Sequence, residues 1–106
     1  MKQILVFLTL GIILNSCGSE RTDCEKNQTG EVQFNNISKT DKTYDIVWDG
    51  VDIATIGPNE KSKLFTYAAN VPHTLVFRIT NTSENACNES TPILNQCQEN
   101  IFSCDQ

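Results

Sequence analysis

Residues 44–56 read YDIVWDGVDIATI, two runs of strand-favouring residues on either side of Asp49-Gly50. A two-residue Asp-Gly loop closes a β-hairpin through a type I′ turn, because such a turn needs φ > 0 at both loop positions. That turn predicts Trp48 opposite Val51, Ile46 opposite Ile53 and Tyr44 opposite Thr55, all six on one face of a sheet. The opposite face would carry Asp45, Val47, Asp52, Ala54 and Ile56, a mixture of charge and aliphatic side chains. One face is therefore a wall of the core, and the other is a surface whose purpose the hairpin alone does not reveal.

The rest of the chain continues in short strands. Val32 and Phe34 alternate within residues 31–37, residues 57–60 (GPNE) form a turn with Pro58 at a position that wants φ ≈ −65°, and residues 61–67 follow as a fourth strand. Leu75, Phe77 and Ile79 alternate within a fifth strand over residues 73–80, and residues 91–97 and 99–104 supply one or two closing strands. No window repeats apolar residues at three and four, so no helix is expected. Strands every eight to twelve residues predict an all-β fold, a small antiparallel β-sandwich of about six to seven strands.

The first sixteen residues have a different character. Lys2 is followed by ILVFLTLGIIL, eleven uncharged residues. That run is shorter than the ~20 residues needed to cross a bilayer, and it suits the core of an export signal. Leu14-Asn15-Ser16-Cys17 then resembles the lipobox of bacterial lipoproteins. The resemblance implies that Cys17 becomes the first mature residue and carries lipid on its sulfur and its amine. Several acyl chains at ~0.8 kcal/mol per buried CH₂ hold a protein on a membrane, whereas one does not. The cysteine count agrees: Cys17, Cys24, Cys87, Cys97 and Cys104 make five, and an exported protein with an odd cysteine leaves one thiol to explain. With Cys17 lipidated, four remain for two disulfides. Three pairings are open; tying the tether to the last strand favours Cys24 with Cys104, which leaves Cys87 with Cys97 to close a loop.

The chain thus divides into a signal peptide (1–16), a lipidated polar tether (17–29) and a β-sandwich domain (30–106). Removing Lys2 with the leader leaves 7 basic residues against 13 acidic ones, a net charge of −6. An acidic surface gives no attraction to nucleic acid or to anionic lipid, so membrane contact must come through the lipid on Cys17. Gly18 stands where the inner-membrane retention signal of enteric lipoproteins would place Asp, which implies the outer membrane, facing either the periplasm or the outside. Ser19, Glu20 and Asp23 make the tether slightly acidic, as in surface-exported lipoproteins of Bacteroidota.

Pairing Ile56 with Lys61 across the 57–60 turn would place Leu64 opposite Ile53 and Phe65 opposite Asp52, with Tyr67 on the same outer face as Phe65. Val47, Phe65 and Tyr67 then form a candidate binding patch, since an exposed apolar patch marks a contact surface. Packing of that face under a second sheet, or a bulge that turns Phe65 inward, would dissolve the patch, and these readings outweigh it.

Little supports catalysis. His73 is the only histidine and sits where Pro72 hands over to a strand, a position more often structural or exposed than basic. Nucleophile motifs, phosphate loops and H-E-x-x-H or C-x-x-C spacings are absent from the sequence. No cofactor is expected. Asp45, Asp49 and Asp52 cluster on the hairpin, but three carboxylates fall short of the six to eight oxygens of a Ca²⁺ shell, and no metal site is assigned. The N-x-[ST] triplets at Asn27, Asn36, Asn81 and Asn88 are attributed to turn composition rather than to glycosylation.

From Trp48 to Ile79 the layout resembles the PEGA-type β domains of bacterial envelope proteins, with Asp49-Gly50, Gly57-Pro58 and His73-Thr74-Leu75-Val76 in the matching places. Ala54 and Val71-Pro72 depart from that pattern where glycine is common. The resemblance implies a PEGA-like or immunoglobulin-like sandwich and a binding or structural role without catalytic residues. As a whole, the chain is similar to small lipoproteins of Bacteroidota. The expected function is that of a monomeric outer-membrane lipoprotein, a non-catalytic binding or adhesion module for a glycan or protein. The alternative is a periplasmic inhibitor or structural accessory of the lysozyme-inhibitor kind.

Overall fold

The computed structural model describes residues 23–106. Six strands form two three-stranded sheets. One sheet has β4 (Phe65–Ala68), β1 (Thr29–Asn36) and β6 (Glu99–Cys104) in that order, and the other has β3 (Val51–Ile56), β2 (Tyr44–Trp48) and β5 (Leu75–Ile79). Every pairing is antiparallel except β1 with β6, which run parallel from Glu31↔Glu99 to Asn36↔Cys104. The all-β expectation holds, with this one parallel seam inside it. A short helical turn over residues 23–27, which no apolar period announces, precedes β1.

The Asp49-Gly50 turn forms with φ of 51° and 81°, as a type I′ turn requires. Trp48 pairs with Val51 and Val47 with Asp52, but the register then shifts, and Ile46 meets Ala54 and Tyr44 meets Ile56. The expected pairs Ile46–Ile53 and Tyr44–Thr55 do not form. Ile53 is the extra residue of a β-bulge, and the physical gain is plain. The shift brings Ile56 onto the inward face beside Tyr44 and Ile46, where it is buried, and turns Thr55 outward to donate from Oγ1 to Asp45 Oδ1 at 2.9 Å.

Between the sheets lie Val32, Phe34, Tyr44, Ile46, Trp48, Ile56, Leu75, Phe77 and Leu94. Phe34 is at the centre, with the rings of Trp48, Phe65, Phe77 and Phe102 at centroid distances of 5.6 to 6.5 Å. Such tilted and edge-on contacts add to the stabilisation from burial.

After β3 the chain does not fold back beside it. The 57–60 turn, with Pro58 second and Asn59 at φ 63°, is a type II arrangement that carries the chain across to the other sheet. There Asn36 N–H donates to Glu60 O, Ser62 N–H donates to Phe34 O, and Ser62 Oγ accepts from Phe34 N–H. These bonds zip residues 60–62 onto β1, so β4 pairs with β1 and not with β3. Asn36 anchors the crossing: fully buried, it donates from Nδ2 to Lys42 O and Ile56 O and accepts at Oδ1 from Ser38 N–H. With its side chain spent on these bonds, this N-x-S triplet offers no acceptor to a glycan in the folded protein.

Candidate functional site

Two disulfides staple the domain, Cys24–Cys97 and Cys87–Cys104. The pairing favoured from the sequence is corrected. Cys104 ends β6 with its side chain in the core, next to the loop that follows β5, so Cys87 from that loop reaches it across the gap between the sheets. Cys24 meets Cys97 because the parallel β1–β6 pairing brings the entry of β1 beside the turn before β6, where Cys97 N–H donates to Thr29 O. Cys17 lies outside the described residues.

The patch of Val47, Phe65 and Tyr67 is corrected as well. Val47 is buried on β2, paired between Asp52 and Val76 on the face turned away from the core. Phe65 and Tyr67 sit on the other sheet and point inward, half-buried, with Phe65 against Phe34 and Tyr67 stacked on Trp48 at 5.1 Å. The crossing at residues 57–62 is the physical reason, since it moves β4 into the opposite layer and turns its aromatic side inward. Phe65 is only partly buried, and Lys63 Nζ lies over its ring, 5.2 Å from the centroid.

The hairpin carboxylates are held by protein donors. Asp45 Oδ1 accepts from the hydroxyls of Thr55 and Thr80, each at 2.9 Å. Asp49 Oδ1 accepts from Thr74 N–H at 2.9 Å, and Oδ2 lies 2.7 Å from His73 Nδ1. The other His73 nitrogen, Nε2, lies 2.8 Å from Ala68 O. Both ring nitrogens thus face acceptors, an arrangement that only the imidazolium satisfies with two N–H donors. Burial of the ring opposes its charge, but the Ala68 carbonyl and the Asp49 carboxylate outweigh burial and raise the His73 pKa above its ordinary value. Burial likewise pushes the Asp49 pKa up, and the bonds from His73 and the Thr74 amide, with the His73 charge, bring it below its ordinary value.

Trp48 is 1 % exposed and its Nε1–H meets no acceptor among the described residues, so stacking is what holds the ring. It lies against both Tyr67 and His73. Burial, then the Asp49 charge, raises the Tyr67 pKa. The cluster thus ties the Asp49-Gly50 turn of one sheet to Ala68 at the end of β4 in the other. Chemically it is a latch: with both nitrogens engaged, His73 has none left to take a proton from a substrate. The sequence shows both partners but not their meeting, which depends on β2 pairing with β5. Comparison of the chain with protein-family models, with curated proteins and with solved structures gives no match.

Proposed function

We propose that this protein is an exported lipoprotein of a bacterial outer membrane, anchored through Cys17, whose disulfide-stapled domain serves as a non-catalytic binding or adhesion module. One observation carries the reading: Cys24, Cys87, Cys97 and Cys104 are consumed in two disulfides, which leaves over the one cysteine that follows Leu14-Asn15-Ser16. Two disulfides also suit an oxidising compartment outside the cytoplasm. The engagement of both His73 nitrogens favours a binding role over proton-transfer chemistry. The loops over residues 37–43 and 57–60 lie at the end of the sandwich remote from Cys24, the end that a tethered domain presents to a glycan or protein partner.

Growth with a labelled fatty acid tests the anchor: the wild-type chain takes up label and sediments with membranes, and Cys17→Ser does neither. Protease treatment of intact cells then separates display at the surface from a periplasmic role. Cleavage in intact cells supports surface adhesion, and protection until the outer membrane is opened overturns it.

A further inference from the structure

Three of the six large apolar side chains exposed among the described residues lie at one end of the sandwich: Val51 at 60 %, Val71 at 42 % and Ile93 at 57 %. That end is closed by three segments bonded to one another. The Asp49-Gly50 turn exchanges bonds with Thr74, Asn70 N–H donates to Leu94 O, His73 N–H donates to Pro92 O, and Pro72 bridges Ile93. Leu94 points inward and is fully buried, while its neighbour Ile93 points out, so the cap has an apolar inner side and an apolar outer side. Leu94 Cβ and Asn95 O press onto Gly30, and Ala69 N–H donates to Gln28 O. The same end therefore receives the chain from residues 23–27, and Cys24–Cys97 fixes it there.

We infer that this cap, with Val51, Val71 and Ile93, rests on the phospholipid bilayer that holds the lipid on Cys17. The inference builds on the anchor proposed above. Cys17 precedes Cys24 by seven residues, a chain that reaches at most about 25 Å at full extension. The eight-residue β1, seven steps of about 3.3 Å, spans about 23 Å on its own, and the cap and the far loops extend the domain beyond both of its ends. The tether is thus no longer than the domain, and the stapled cap is the part kept nearest the membrane. A tether of this length supplies an effective concentration in the millimolar range, so a contact too weak to hold the free domain suffices once the chain is anchored. The contact is aliphatic, so it needs no anionic lipid, and on zwitterionic lipid it is insensitive to salt. The loops over 37–43 and 57–60 then face away from the bilayer.

The test uses the full-length lipidated protein in phosphatidylcholine vesicles whose acyl chains carry bromine, a short-range quencher of indole fluorescence. Ile93→Trp and, as a second reporter, Val71→Trp lose most of their added fluorescence, whereas Lys39→Trp, exposed in the far-end loop, keeps it, at low and high salt alike. Intact mass of the same samples reads the acylation of Cys17. Acylated protein with Ile93→Trp and Val71→Trp no more quenched than Lys39→Trp overturns the cap contact alone. Unacylated protein overturns the anchor and the cap contact with it.

Discussion

Trp48 and His73 stack with ring centroids 4.8 Å apart and planes 30° from parallel, while Nδ1 and Nε2 of His73 bond Asp49 and Ala68 at opposite edges of the ring. An imidazolium in that position bonds two acceptors and lies against the face of an indole, a favourable place for a cation. One side chain thereby joins the turn of one sheet to a strand end of the other.

This latch makes stability depend on pH. The His73 pKa is raised in the folded state, so its stabilisation is complete below its ordinary value of about 6.5 and is lost as pH climbs through the raised one. The Asp49 pKa is lowered, so its stabilisation is complete above its ordinary value of about 3.8 and is lost as pH falls through the lowered one. The latch is therefore at full strength between about pH 4 and 6.5. Asp49 is about half exposed, which limits the pair to about 1 kcal/mol. Since the chain has one histidine and one tryptophan, the His73 proton resonances and the Trp48 fluorescence should titrate together. Asp49→Asn should lower that midpoint and flatten the alkaline loss of stability.

Phe65→Ser combined with Tyr67→Ser should destabilise the domain by about 2–4 kcal/mol in urea unfolding, because these half-buried rings pack on Phe34 and Trp48. An unchanged midpoint would show instead that the rings face water.

Gly30 lies under the cap. A Cβ added there would stand 2.4 Å from Asn95 O, main-chain oxygen that cannot swing aside. Gly30→Ala should cost about 1–3 kcal/mol through overpacking. Gly57→Ala provides the contrast, since its Cβ would meet only the flexible end of Glu60.

Peptide mapping without reduction should recover Cys24 linked to Cys97 and Cys87 linked to Cys104. Replacing either pair with serine should cost about 2–5 kcal/mol, with the greater unfolded-state effect from Cys24–Cys97, which spans 73 residues against 17.

What the sequence makes legible follows from range. The Asp49-Gly50 turn, the Gly57-Pro58 turn and the inward alternation of Leu75 and Phe77 are local, and each stands where its residues predict. The bulge at Ile53 is not announced locally: in the simple register Ile56 lies on a face that already mixes aliphatic and charged side chains, and only packing against the second sheet favours the shift that buries it. The crossing to β1 could not be read locally either, because it is fixed by bonds from Asn36 and Phe34 to residues more than twenty positions on. The same holds for the β1–β6 pairing, which brings Cys24 to Cys97, and for the packing of the two sheets, which brings Cys87 to Cys104. The candidate patch failed with the crossing, since reversing the layer of β4 reverses what Phe65 and Tyr67 face.

The anchor proposed at Cys17 is read most simply from the mass of the N-terminal peptide of the protein isolated from the cells that make it. The anchor requires a peptide that starts at Cys17 and carries diacylglycerol on its sulfur and an acyl chain on its amine. A peptide that begins elsewhere, or one that begins at Cys17 without lipid, would contradict it.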